Sequence, residues 1–338
     1  MRCPFYLKIF RKLEGGIIMD QQKKRETQSA LLMVLTAVIW GIAFVFQRTG
    51  MEHIGPFAFN FFRCVLSLLF LVSVSIFLKI KNKNVEKKKT NFNRKSLYIG
   101  GILAGIALFL GMSTQQVGMV STTAAKAGFI TTMYIVIVPI MGMFYGRKTT
   151  PKMWLCVAIA AVGLYMLSIK EGFVIEKGDF LVFLSAIFFA LQIVIIDIFA
   201  PRADAIKLSM IEFATSGILS LIVTLSTETT TIAGIQAAGV AILYTGILSS
   251  GVGFTLQIVA QKNLPPTITS LIMSMESGVS AIAGVVFLSE TLSSREIVGC
   301  IIMVVSVLLA QVDIPAKKAK KIKNIEIAHG TDGRKIAQ

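Results

Sequence analysis

Four charged residues stand inside long apolar runs of this chain: Arg63, Lys126, Glu212 and Glu276. A charge at the bilayer centre costs about 2.5–3.5 kcal/mol on insertion scales, so each must face a cavity, a partner or the interface. Glu276 stands about nine residues into its run, among Ser, Met, Gly and Ala. There it would bind a substrate amine or carry a proton, or else, as a neutral acid, hydrogen-bond one helix to another. Lys126 lies about one turn inside the outer end of its run. It would either bind a substrate carboxylate or phosphate, or snorkel its ammonium to interfacial water. Arg63 lies roughly 9 Å below the outer end of its span, and Glu212 holds the corresponding position below the inner end of its own. Asp197 reads as an interface residue within reach of Arg202 or Lys207.

Small-molecule sites are mostly apolar with a few placed polar groups. The spans offer Trp40, Gln47, Asn60, Gln115, Gln116, Tyr134, Gln192, Tyr244 and Gln257. On a helix Trp40 and Gln47 share a face, as do Lys126 and Tyr134. Trp40 and Tyr134 are therefore candidates for an aromatic wall, against plain packing or an interfacial belt. Asn60 joins the cavity candidates. Pro139 removes a backbone bond inside its span and is the candidate hinge. The glycines, among them Gly101-x-x-x-Gly105, read as sites of close helix approach.

Other chemistries find no residues. The histidines, His53 and His329, lie in a loop and the tail, and neither H-E-x-x-H nor a Ser/His pair occurs. No catalytic residue is expected, and the chain does not read as an enzyme. No G-x-x-x-x-G-K-[ST] loop is present, so ATP is not expected to drive a cycle. Cys64, Cys156 and Cys300 fall inside apolar spans without metal-ligand spacing. No metal and no cofactor is expected.

The elements that must position these residues follow from composition. The chain has 338 residues, 54% hydrophobic and 15% charged, which is too apolar for a soluble surface. Its apolar runs, each about 18 residues or more, fit helices and not barrel strands. The expected fold is an all-α integral membrane protein of ten transmembrane helices in two inverted five-helix repeats. The spans run over 30–47, 57–80, 96–118, 122–145 and 153–169, then 180–199, 206–226, 236–260, 267–288 and 295–312. The net charge of +16 lies in loops and tails, without the interleaved aromatics of a nucleic-acid platform, so nucleic acid is not an expected partner. Positive loops belong inside. That rule puts both termini in the cytoplasm, with residues 1–29 as a cytoplasmic segment and 313–338 as a basic cytoplasmic tail. Glu14-Gly15-Gly16 would be encoded by a purine-rich stretch just upstream of Met19, as at a bacterial ribosome-binding site. Met19 is therefore the expected initiator, with 1–18 untranslated, and the expected location is a bacterial cell membrane.

Phe144-Tyr145-Gly146-Arg147 and the apolar run after it align with Phe287-Leu288-Ser289-Glu290 and its own run, at an offset of 143 residues. Five spans per copy, an odd number, turn the second copy over in the membrane. Inverted repeats of this kind are a transporter signature. The repeats are expected over 30–169 and 179–312.

The pattern resembles the EamA-type branch of the drug/metabolite transporter superfamily. The matching residues in the first copy are Trp40-Gly41, Pro56, Arg63, Thr122-Thr123-Ala124, Ala127 to Pro139 and Phe144-Tyr145-Gly146. In the second copy they are Leu271 to Glu276 and Phe287 to Leu292. The likeness runs from about Leu31 to Val312. It departs at Arg147, where the family usually has Glu, and at Ser289, where it usually has Gly. The resemblance implies a ten-helix secondary transporter of small metabolites or amphiphilic drugs, often an exporter, working by alternating access from a central cavity. Uptake of a sugar, nucleotide-sugar or related metabolite is the alternative within transport, and a non-transporting membrane sensor the alternative outside it. The expected partners are a small-molecule substrate, protons as a coupling ion and the lipid bilayer; the sequence does not address oligomeric state.

Overall fold

The structure is a computed structural model that describes residues 21–81, 93–121, 127–166, 177–287 and 293–310 in full. For 4–20, 124–126, 167–168, 288 and 311 it describes the backbone alone. Every element among them is helical. Besides Pro4 of the first helix, prolines open three helices at the first position, where a missing N–H costs nothing: α2 (Pro56–Lys81), α6 (Pro151–Ser168) and α12 (Pro266–Met273). Side chains cap others. Asn93 accepts from Lys95 N at 2.9 Å to open α3 (Arg94–Met119), and Asp204 accepts from Lys207 N at 3.0 Å to open α8 (Ala205–Thr227). The remaining α-helices are α1 (Pro4–Met51), α4 (Ala124–Thr131), α5 (Tyr134–Phe144), α7 (Lys177–Phe199), α9 (Ile232–Ala237), α10 (Gly239–Leu243), α11 (Thr255–Gln261), α13 (Met275–Leu288) and α14 (Ser294–Gln311), and a 3₁₀ turn over Ala200–Arg202 follows α7. Residues Tyr244–Phe254, between α10 and α11, form a π-helix.

Eight helices are long and apolar enough to cross a membrane among the described residues. The expectation of ten is met only to that extent. The apolar helix over 151–166 is shorter, and α14 opens with Arg295 and Glu296. At 18 residues each, α6 and α14 extend about 27 Å, just short of a hydrocarbon core of about 30 Å. They pack against each other. The first helix also runs past both expected ends, from Pro4 to Met51.

Helix contacts come in matched sets when the first five expected spans are exchanged for the second five. The α3·α7 contact is mirrored by α1 against the π segment and α11, and the α3·α8 contact by α2 against the π segment. The α1·α13 contact is mirrored by α7 against α4 and α5, while α2·α8 and α6·α14 are their own mirrors. Two glycines permit close approaches among these. A Cβ on Gly41 would stand 2.7 Å from the Glu276 carbonyl, and one on Gly105 would stand 2.6 Å from the Glu212 carbonyl. Large apolar side chains point outward on most helices, including Leu69, Phe77, Leu155, Ile218, Leu225 and Leu308. A soluble monomer would not display so much apolar surface; lipid covers it. The polar residues are inside.

Two spans tighten midway. In the fourth, Met133 N bonds Ile130 O, Ile135 N bonds Thr132 O and Val136 N bonds Met133 O, all at 3.0–3.1 Å. These i→i+3 bonds make a short 3₁₀ turn between α4 and α5. In the ninth, Ser277 N bonds Ser274 O at 3.2 Å between α12 and α13. Pro139 lies buried inside α5, and its missing N–H removes the i→i+4 bond that the Ile135 carbonyl would otherwise accept. The ninth span tightens at Ser274 with no proline after it, so the device does not depend on one.

Candidate functional site

Arg63, about two turns into α2, is 3% exposed. Its Nε donates to Ser250 Oγ at 3.0 Å, one terminal nitrogen to Gln47 Oε1 at 3.2 Å and the other to Ser249 Oγ at 3.3 Å. All three acceptors are neutral, and among the described residues no carboxylate pairs with this guanidinium. The π segment supplies two of them, and Ser249 O also accepts from Trp40 Nε1 at 2.9 Å. Gly253 leaves room for the indole, since a Cβ there would lie 2.6 Å from Trp40 Nε1. The indole also packs on Phe254, with ring centroids 4.5 Å apart. Ser249 and Ser250 were not singled out in the sequence. The signal was available in the run Gly246 to Gly253, whose small residues suit both a widened helix and a close approach to α2.

Across the same space, Tyr134 Oη donates to Glu276 Oε1 at 2.7 Å. Each residue lies within the tightened part of its span. Gln115 Nε2 donates to Thr131 Oγ1 at 2.9 Å, and Thr132 meets Ser277 at 2.9 Å. Arg63, Trp40, Tyr134 and Glu276 all line one cavity, together with Gln47, Gln115, Gln192, Ser249 and the rings of Phe44, Phe189 and Phe254. Its volume is ≈ 50 Å³, room for roughly three or four waters.

Other expected site residues are placed differently. Glu212 is fully buried but off the cavity wall, because Gln192 stands between; Gln192 Nε2 donates to Glu212 Oε1 at 2.8 Å. Asn60 is fully buried too, and its short side chain ends in packed interior, with both amide atoms lacking a hydrogen-bond partner among the described residues. The Lys126 side chain lies outside the described residues. Pro139 is not part of the cavity wall.

Asp197 finds neither Arg202 nor Lys207. Its Oδ2 accepts from Arg147 at 2.7 and 3.0 Å and from Tyr145 Oη at 3.3 Å. The carboxylate is buried while the guanidinium is half exposed. This contact ties the end of the fourth span to the end of α7. The bond to Asp197 raises the Arg147 guanidinium, and burial, then the Asp197 carboxylate, pushes the Tyr145 phenol up to about 12. At the opposite end of α8, Glu228 receives Phe57 N at 3.0 Å and Ala58 N at 2.8 Å, capping α2 from outside. Among the described residues no group of three or more His, Cys, Asp or Glu could hold a metal.

This arrangement can hold an anion at Arg63 and a cation or hydrogen-bond donor at Glu276, between aromatic faces. The model of the EamA-like transporter family matches residues 27–169 and again 176–311. The chain belongs to that family. The EamA-like proteins are part of the drug/metabolite transporter superfamily. An uncharacterized transporter of Archaeoglobus fulgidus is 28% identical over 307 residues, 90% of this chain and 91% of that one. A solved crystal structure matches with a TM-score of 0.68 over 84% of this chain and 96% of that one; at 15% identity it speaks for the shared fold. The EamA-like chain is thus a multi-pass membrane transporter.

Proposed function

We propose that this EamA-like protein is a secondary carrier that exports a small metabolite or amphiphilic drug by alternating access through the cavity between its repeats. The observation that carries the reading is one cavity holding a guanidinium, Arg63, that no carboxylate pairs with among the described residues, and a carboxyl, Glu276, among aromatic rings. A buried charge without a partner is costly, and a ligand with an anionic group relieves it at Arg63. Glu276 takes the polar or cationic end, and Trp40, Phe44 and Phe254 take the apolar body. At ≈ 50 Å³ the cavity is smaller than a ligand site, so loading requires the helices to part. In this reading α6 and α14 are the fifth and tenth spans, the second repeat is inverted, and both termini lie in the cytoplasm of a bacterial cell.

Untargeted metabolite profiling of cells and medium tests it, comparing cells that lack the protein, overexpress it, or overexpress Arg63→Gln. The expected result is a compound enriched in the medium of overexpressing cells and not of the Arg63→Gln cells. Enrichment inside the cells would reverse the direction. No change in any compound, with the protein present in the membrane, would overturn the reading.

A further inference from the structure

The mirrored position of Arg63 carries a second, separate chemistry. Glu212 stands about two turns into α8, as Arg63 stands in α2, and is fully buried. One carboxyl oxygen accepts from Gln192 Nε2 at 2.8 Å; the other, Oε2, has no hydrogen-bond partner among the described residues. Gln192 is itself held, with Gln257 Nε2 donating to its Oε1 at 3.0 Å. The same Gln192 lines the cavity, so a single amide links the cavity wall to a carboxyl behind it.

Among the described residues the surroundings hold no fixed counter-charge. From α3 the helix meets Gly101 and Gly105; from α7, Gln192; from α11, Gln257 and Thr255, the latter bonded to Ser209 at 3.0 Å. From α2 come Cys64, whose thiol contacts Ser216 Oγ at 3.7 Å one turn past Glu212, and its neighbour Arg63, committed to Gln47, Ser249 and Ser250. A carboxylate here would be a buried charge without a cation, which costs several kcal/mol. A carboxylic acid leaves only one donor unmatched, a smaller penalty.

We propose that Glu212 is the coupling-proton site of the carrier, a carboxyl outside the substrate cavity positioned by Gln192. The proposal rests on the transport reading and divides its labour: Arg63 and Glu276 meet the substrate, while Glu212 meets the proton. The step is balanced by water alone. An O–H bond forms on Glu212 with a proton from water at one face, and it breaks with release to water at the other when the helices part. Gln192 is the positioning residue.

The test uses acid-minus-alkaline infrared difference spectra of the full chain in phosphatidylethanolamine/phosphatidylglycerol liposomes, with the proton as the only probe. The wild type is expected to show a desolvated carboxylic-acid band that disappears on the alkaline side. Glu212→Gln should delete this band, Glu276→Gln should keep it, and Glu212→Asp should keep it at a shifted frequency. Gln192→Leu, which removes the hydrogen bond and leaves the carboxyl, should move its frequency, a change that a purely structural role would not produce. A titrating band that survives Glu212→Gln, or a Glu212 band unchanged across the whole range, overturns the proposal. No substrate is needed, so a failure to move any compound in the profiling experiment would sink the transport reading and leave this measurement standing.

Discussion

Tyr134 donates a 2.7 Å hydrogen bond to Glu276, and each residue lies inside the short i→i+3 turn of its span. The contact joins the two matched halves at their tightened middles. Neither helix can rotate there without breaking it. Tyr134 is fully buried and Glu276 nearly so, and Tyr134 is the one hydrogen-bond partner found for Glu276 among the described residues.

Tyr134→Phe removes this donor and leaves the ring. The expected cost is about 1–3 kcal/mol, the penalty for a buried polar group left unmatched, read as a lower thermal midpoint in detergent. Glu276→Gln keeps an acceptor for the phenol and should cost less. Equal losses in the two variants would show that the bond is not what couples these helices.

The fold and much of the cavity were legible because polar groups in apolar spans must find partners. That argument picks out Trp40, Arg63, Tyr134 and Glu276, and all four line one cavity. It fails where the partner is small or distant. Ser249 and Ser250 look like packing residues until a π segment turns both toward Arg63. Asp197 was matched to cations close in sequence, whereas its partner, Arg147, lies 50 residues away at the end of another span. The turn at Ser274 has no proline to announce it. Glu212 and Asn60 have the right chemistry for a cavity, and their depth in the packing, not their type, keeps them off its wall.

Gly41→Leu and Gly105→Leu should each destabilise the protein by about 1–3 kcal/mol or more, since any Cβ already meets a backbone carbonyl of the facing helix within 3.0 Å. Gly239→Leu is the control, because nothing lies within 4 Å of a Cβ there. Thermal midpoints of the three variants in one detergent decide it. A fall for Gly239→Leu as large as for the others would refute the close-approach argument.

The Arg147–Asp197–Tyr145 contact carries a pH signature. The Tyr145 phenol is pushed up to about 12, against an unfolded value of about 10. The folded chain therefore holds this proton more tightly than the unfolded one. The stability this contributes is fully present below about pH 10 and is lost as the pH rises through about 12. Between those limits the wild type should lose more thermal stability than Tyr145→Phe. Parallel losses in the two proteins would remove the phenol from the account.

The π segment Tyr244–Phe254 sets a phase between the two ends of its span. A π turn holds more residues than an α turn, so everything after it is out of step with a regular helix begun at Gly239. Ser249 and Ser250 address Arg63 from inside the segment, and Gln257 addresses Gln192 from beyond it. Each residue of α register gained or lost between them is a rotation of about 100°. One helix thereby serves as the shared axle of the cationic site and the carboxyl site, and winding it tighter would turn Gln257 relative to Ser249 and Ser250, so that the Gln192 and Arg63 contacts could not both be kept.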